Sequence, residues 1–572
     1  MSEQSFMKSL FHGVLAEELV SPYPELPAEE RAELEPLLDR LRKFGATRVD
    51  SAAIDRDGVL PDEVLAFARA ERLFGLRVPR QQDGLALTTS ASVRVMQEVA
   101  AIDPSLSFTL AAHGALGTTG LLLFGSDMQR RKYLPRLARG EAIAAFALSE
   151  PSAGSDAASI QLRADRATDG EGWVLAGKKA WVTNGAIADL FTVFARTSPA
   201  DEGTKPRLTS FVVERGHGVR STGRLSTHGV RGASTANVAF EGAKVPTGNV
   251  LGDVGRGFKV AMEVLNLGRV SLAGACVGQS RRLLEMAIAH AQQRRAFGRA
   301  IGEFGLIKDK ISRMVVEIYA LESVVYLTTG LVDARVADYS LESAISKVLG
   351  SETLYRVAHE SLQIAAGLGY AGGLPWERLL RDARLNLFFA GTNEILRCFI
   401  ALAGMQGPGK SITEVSRAMR EPIKGFGLLS DFALRRAKSA LGRERMHRVH
   451  PILNKETVLF EEHVSELARQ VERALRKHGS EIAEMQYTQR RIADLAIDLY
   501  ALAACLSRTT RAIERKGEEG ARREIELTTA FGALAQERMG HNIRAFDRNE
   551  DELFKGIATR TYGDGGYPFD FL

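Results

Sequence analysis

The sequence predicts a mainly α-helical protein with a β-domain in its middle and a further helical domain at its end. Three observations carry this. Ala and Leu recur at helical spacing in EERAELEPLLDRLRKFG (29–45) and DEVLAFARAERLFG (62–75), as on one face of a 3.6-residue period. From Ala142 to about Val250 the texture changes. WVLAGKKAWVTNG, LFTVFART, LTSFVVERG and ANVAFEG are short, aromatic and β-branched, with Gly, Pro, Asn and Asp between them, the signature of strands. Helical periodicity then resumes at Gly257 and lasts to about Gly407.

GMQGPGK (404–410) has turn composition and marks a boundary. The expected domains are therefore 1–141, helical; 142–255, β; 256–408, helical; and 409–572, helical again. One hydrophobic core rarely exceeds about 250–300 residues, so a chain of 572 residues needs several. SRMVVEIYALESVVYLTT (312–329) and IADLAIDLYALAACLSRTT (492–510) share a YAL core. Either the last domain duplicates the preceding bundle, or two amphipathic helices are alike by chance.

Apolar residues make up 45% of the chain and charged residues 25%, a globular balance that argues against disorder. The net charge of +5 suits an anionic partner but also ordinary surface charge on a large protein. Cys276, Cys398 and Cys505 are scattered, which gives neither a disulfide framework nor metal-ligand spacing. No uninterrupted apolar run reaches about 18 residues. MSEQSFMKSLFHG lacks signal-peptide and transit-peptide character. The expectation is a cytoplasmic chain, with peripheral attachment to a membrane as an option. There is no P-loop, G-x-S-x-G elbow or zinc spacing. GLGYAGG (367–373) follows helical sequence rather than a strand, which excludes a dinucleotide loop of the Rossmann kind.

Four motifs carry candidate chemistry, each with a plainer alternative. FALSEPSAGSD (146–156) offers the hydroxyls of Ser149, Ser152 and Ser155 beside Gly154; it suits a phosphate or a ring edge, or is a capped turn. KKAWVTNG (178–185) places Trp181 and Thr183 two apart on one strand face; they suit a flat heteroaromatic ring, or are a core Trp and a surface Thr. RRAFG (294–298) offers cations for a pyrophosphate, or is a solvated helix face with one buried Phe. FFAGTNEILR (388–397) combines a turn with a helix start capped by Thr392, where backbone N–H groups attract anions; alternatively it is only a cap.

Taken in order, FALSEPSAGSD, GKKAWVTNG, RRAFG, QIAAGLGY (363–370) and RDARLNLFFAGTNEILR (381–397) resemble the acyl-CoA dehydrogenase family. SPYPEL, LLLFGSDMQRRKYLPRLARGE, VLGDVGRGFKVAMEVLNLGR, ESAISKVLGSE and the extension after residue 410 are similar to its very-long-chain branch. The resemblance implies a helical N-domain, a β-barrel-like middle domain, a four-helix bundle and an added helical domain. It also implies FAD, a homodimer, long-chain acyl-CoA as substrate and electron-transferring flavoprotein as partner.

By the same resemblance, Phe146, Leu148, Ser149, Trp181 and Thr183 correspond to contacts with the flavin. Ser155 lies near the pyrophosphate and the substrate. Arg294 and Phe297 reach the FAD of the other subunit, Gln363 and Gly367 belong to the adenosine-side loop, and Thr392 and Glu394 lie near phosphates and ribose. Arg269 organises the active site, and Gly391 contacts substrate. Gly117 and Gly120, in AAHGALGTTGLLLFG (111–125), match the floor of the acyl tunnel. Each buried CH₂ contributes about 0.8 kcal/mol, so a deep tunnel selects long chains; the alternative is close helix packing at glycine.

One position departs from the family. Its glutamate base belongs before the Gly-Thr pair, where this chain has Ala390. The other known location of that base matches Gly268. Dehydrogenation is therefore expected to be weak or absent. The alanine is a deliberate inactivation, a natural loss leaving an FAD- and acyl-CoA-binding scaffold or sensor, or a sign of another base such as Glu394 or water. Ala366 and Ala233 are milder departures, from a glycine and a serine respectively. Finally, Lys424, Arg435, Arg436, Lys438, Arg443, Arg445 and Arg448 alternate with apolar residues, the pattern of a segment lying in a membrane interface or of a solvated helix on the bundle.

Overall fold

The structure, a computed structural model, describes residues 5–168, 170–197, 207–420 and 445–570. Two compact units divide the chain. One is Tyr23–Ile395; the other joins residues of Gln4–Pro22 to Leu396–Leu572. The expected first domain, 1–141, thus loses its beginning to the C-terminal unit. Inside that unit Phe6 packs near Tyr500, with ring centroids 6.2 Å apart. Glu17 accepts from the N–H groups of His447 and Arg448.

The larger unit opens with helices Ala28–Arg48, Ser51–Asp57, Asp62–Ala70, Thr89–Ile102 and Pro104–Ala111. A π-helical segment, Ala112–Thr118, continues into Thr119–Phe124. Capping is explicit: Asp50 accepts from two amides of the turn it starts, and Ser126 with Gln129 forms a capping box.

The middle region is one sheet of eight strands: β1 (Ala144–Ala147), β2 (Arg163–Arg166), β3 (Gly172–Val182), β4 (Leu190–Arg196), β5 (Leu208–Glu214), β6 (Val219–Arg224), β7 (Ala236–Pro246) and β8 (Val250–Leu251). The order is β6-β7-β3-β2-β4-β5-β8, with β1 parallel to β4. Trp173, Leu175, Phe191, Phe211 and Phe240 fill its core.

Long helices Gly257–Gln293, Gly305–Asp333 and Ser340–Ala365, the helix Pro375–Leu385 and the start of Asn393–Arg420 follow. Three helices, Pro104–Phe124, Gly257–Gln293 and Gly305–Asp333, are long and apolar enough to cross a membrane by length and composition. The count of uninterrupted apolar runs did not show this, because scattered polar residues interrupt them. Their most apolar windows are 72%, 89% and 67% buried, so those residues have a protein core to fill.

The smaller unit contains helices Asn454–His478, Gln486–Gly520, Arg522–Asp547 and Asp551–Asp564. The two YAL segments lie on long helices, with Tyr319 and Tyr500 both buried. Most of the basic segment lies outside the described residues. Arg448, which is described, turns inward and donates to the Ser21 carbonyl at 2.7 Å.

Candidate active site

The Gly257–Gln293 helix carries Arg269 into the interior. Its Nε donates to the carbonyl of Ala390 at 3.1 Å and its Nη1 to Asn266 Oδ1 at 3.2 Å. Burial pushes the guanidinium down to about 10. Ala390 has a left-handed φ of 57° and Gly391 one of 104°, so the chain turns sharply between Phe389 and Thr392. Thr392 Oγ1 accepts from the Ile395 N–H at 3.3 Å, which makes it the expected N-cap of the helix starting at Asn393. Glu394 is exposed in the first turn. The Ala390 methyl packs on a core cluster that includes Leu116, Leu148, Val264 and Leu265.

A second buried cation holds the same turn. Lys347 Nζ donates to the carbonyls of Leu387 (3.1 Å) and Gly391 (2.7 Å) and to Asn393 Oδ1 (2.7 Å). Burial, with Arg269 adding to it, lowers its pKa to about 7. Three acceptors match the three donors of an ammonium, so this geometry favours the protonated form. Residues 387–393 are thus clamped by Lys347 and Arg269. The sequence motifs point to Arg269 alone. The signal for Lys347 is a lone lysine in an otherwise small and apolar helical stretch, SAISKVLG.

The FALSEP loop is held in a similar way. Lys179 is fully buried and donates to the Leu148 carbonyl and to Glu150 Oε1, both at 2.8 Å. Glu150 also accepts from the amides of Gln161 and Leu162. Burial lowers Lys179 to about 8, and Glu150 opposes that shift. Ala180 N–H donates to the Ser149 carbonyl at 2.9 Å. The pair fastens the Ser149 loop to β3, immediately before Trp181.

Trp181 is 58% exposed and has φ 53°. Thr183 is half-buried, with buried Val182 between them. Thr183 lies in the turn just past the end of β3, so the two do not share a strand face by regular alternation. The β3–β7 register shifts between Lys179 and Val182, a bulge that re-aims the ring. Phe146 is half-buried against Phe194 at 5.0 Å between centroids. Leu148 belongs to the core, 8% exposed, so its side chain is unavailable to a ligand. Ser155 is exposed, and the space around Gly154 is open.

Two expectations are corrected. RRAFG is not a helix face. The helix ends at Gln293, and Arg295–Ala296 pairs with Arg299–Ala300 around Phe297 and Gly298. Both loop residues have positive φ, 53° and 83°, as a two-residue hairpin of the primed type requires. Phe297 is therefore 94% exposed rather than buried, and Arg294 lies exposed at its base. Gly117 and Gly120 do not floor a tunnel. A Cβ on Gly117 would meet Ala144 Cβ at 2.7 Å, and one on Gly120 would meet Leu251 Cδ2 at 2.9 Å. Both face the sheet and permit close packing.

The pocket lies on another side of the same segment. A narrow cleft there is lined by Phe74, Val93, Met96, Gly114, Leu122 and Leu267 among others, mostly apolar as acyl-binding sites are. Leu122 also packs on the cluster beneath Ala390. At the far end of the bundle, Gln363 and Gly367 are exposed around Ala366, whose φ 52° and ψ −126° suit glycine. The space around Gly367 is open.

The chain is similar to known proteins along nearly its whole length. Residues 31–141, 145–243 and 255–405 match the N-terminal, middle and C-terminal domains of acyl-CoA dehydrogenase, and 451–567 match the ACAD9/ACADV C-terminal domain. The chain is 39% identical to the very long-chain specific acyl-CoA dehydrogenase, mitochondrial, of Homo sapiens, over 98% of this chain and 88% of that protein. A probable acyl-CoA dehydrogenase of Bacillus subtilis (strain 168) is 33% identical over 80% of this chain and 77% of its own. Among solved structures, an acyl-CoA dehydrogenase complexed with FAD from Bacillus anthracis superposes with a TM-score of 0.79 at 27% identity, over 98% of this chain and 96% of that one. The chain belongs to the acyl-CoA dehydrogenase family.

Proposed function

We propose that this chain binds FAD and a long-chain acyl-CoA in a site organised for α,β-dehydrogenation, and that Ala390 deprives the site of its base. The observation that carries this is the clamped turn. Arg269 and Lys347 fix residues 387–393 with four hydrogen bonds, to Leu387, Ala390, Gly391 and Asn393, while the side chain at 390 is a methyl group. The positioning is intact and the proton acceptor is missing.

The residues present fit a flavin. Trp181 offers an exposed ring face, the Ser149 loop and Thr183 lie next to it, and open space at Gly154 allows close approach of a polar edge. The Thr392-capped helix start supplies N–H groups suited to phosphate. Exposed Phe297 and Arg294 suit the cofactor of a second copy in a homodimer, and Gln363 with Gly367 suits the adenosine side. When bound, FAD supplies the acceptor for the β-hydride.

The chain's own part is narrower. The N–H of residue 390 survives the substitution and can polarise a thioester carbonyl. General-base catalysis is typically worth about 10²–10⁴-fold, and that is the factor this site lacks. Glu394 is exposed on the helix rather than packed on the cluster beneath residue 390, which argues against its taking over. Electron-transferring flavoprotein is the acceptor this reading implies for an active form. An FAD- and acyl-CoA-binding scaffold is what it implies for the chain as it stands.

An absorbance titration tests the reading. The purified protein should carry flavin, and palmitoyl-CoA should perturb its spectrum at micromolar concentration. A colourless protein that takes up no FAD would overturn it.

A further inference from the structure

The pocket beside the Ala112–Thr118 segment, which we take as the place of the acyl chain, is not apolar throughout. Arg77 lines it, together with Thr89, Ser92, Thr118 and Ser271. Thr118 is 1% exposed, and its Oγ1 has no hydrogen-bond partner among the described residues. Arg77 forms no hydrogen bond or ion pair there either. The groups acting on it from a distance are Asp333 and Tyr339, and burial pushes the guanidinium below its ordinary value.

Neither group is a contact partner. The Asp333 carboxylate is occupied by the amides of Thr89 (2.7 Å) and Ser90 (3.0 Å) and by Ser90 Oγ (2.6 Å). Burial raises Tyr339 to about 12, with Glu263 contributing, so the phenol stays neutral. A guanidinium in this pocket thus has its charge unmatched at contact range, and the same pocket is lined by a buried hydroxyl with no partner among the described residues. A methyl-ended chain would leave both unsatisfied. An anionic chain end would satisfy both, since a carboxylate accepts two parallel bonds from a guanidinium and more from hydroxyls.

We propose that Arg77, with Thr118 and Ser92, forms a subsite for a carboxylate at the distal end of the acyl chain, so that the preferred ligand is the CoA monothioester of a long α,ω-dicarboxylic acid. This rests on the pocket being the acyl site, and the experiment separates the two claims. Holo-protein is titrated calorimetrically with hexadecanoyl-CoA and with hexadecanedioyl-CoA, whose free end is a carboxylate. The dicarboxylic ligand should bind roughly 10- to 100-fold tighter, the range of a charge-assisted hydrogen bond. Arg77→Leu should abolish that preference while keeping or improving the binding of hexadecanoyl-CoA, which also shows that the variant is folded.

Equal or weaker binding of the dicarboxylic ligand by the unmodified protein would overturn the subsite, with no variant needed. A preference that persists in Arg77→Leu would overturn the role of Arg77. If neither ligand binds, the acyl-CoA reading itself fails.

Discussion

Glutamate at residue 390 should restore proton abstraction, and glutamate at residue 268 should not. Ala390 already has a Cβ at φ 57°, so Ala390→Glu adds no new backbone strain. Its side chain extends from a turn fixed by Arg269 and Lys347, over a cluster containing Leu116, Leu148 and Leu265. Apolar surroundings raise a carboxyl pKa toward neutrality, where a general base works best. At Gly268 the first added atom would meet Leu116 Cδ2 at 2.5 Å, so a carboxylate there requires the buried Leu116 side chain to move out of the cluster under Ala390. Stopped-flow reduction of the bound flavin by palmitoyl-CoA should be about 10²–10⁴-fold faster in Ala390→Glu than in the unmodified chain. Gly268→Glu should stay near the unmodified rate and unfold at lower temperature. Equal rates for the two variants, or no gain in Ala390→Glu, would refute the reasoning.

Three further outcomes follow from the packing and charge. Ala366→Gly should stabilise the protein by about 1 kcal/mol in urea unfolding, because φ 52° with ψ −126° is strained for alanine. Asp382 is buried, accepts from the Val230 N–H at 2.5 Å, and is pushed up to about 7 by burial, with Asp103 adding to the shift. The folded state therefore holds this proton more tightly than the unfolded chain. Its contribution to stability is full below about pH 4 and is lost as pH rises to about 7, by roughly a few kcal/mol; Asp382→Asn should remove that slope from a pH series of urea melts. Gly117→Leu should destabilise by at least about 1–3 kcal/mol through Ala144. Gly114→Leu, whose Cβ meets nothing nearer than the Phe74 carbonyl at 4.0 Å, should instead shift calorimetric binding toward shorter acyl-CoA.

Local pattern carried much of this fold. The helix–strand–helix order follows from periodicity, and the Thr392 cap follows from a Gly-Thr turn before a helix. Failures occurred where regular periods break. The tunnel role of Gly117 and Gly120 came from the family resemblance, with close packing as its alternative, and a π-helical segment at Ala112–Thr118, bonded i→i+5, sets which of its residues face the pocket. There Gly117 and Gly120 pack on the sheet while Gly114 lines the pocket. The Phe297–Gly298 turn broke the helix reading in the same way, since a phenylalanine at positive φ has no strong sequence signature. Other features depend on partners far away in the chain. Lys179 meets Glu150, and Lys347 meets Leu387, Gly391 and Asn393, across separations that no local pattern encodes. The attachment of residues 5–22 to the last unit is of the same kind, since contacts with Tyr500 and Arg448 decide it.

The most direct test of the central claim uses the unmodified chain. Holo-protein is mixed anaerobically with excess palmitoyl-CoA and the flavin absorption band is followed. The account predicts a shifted band that persists, showing a ligand bound without its α-proton being removed. Prompt and complete bleaching would contradict it, because a base would then be present that neither residue 390 nor residue 268 provides.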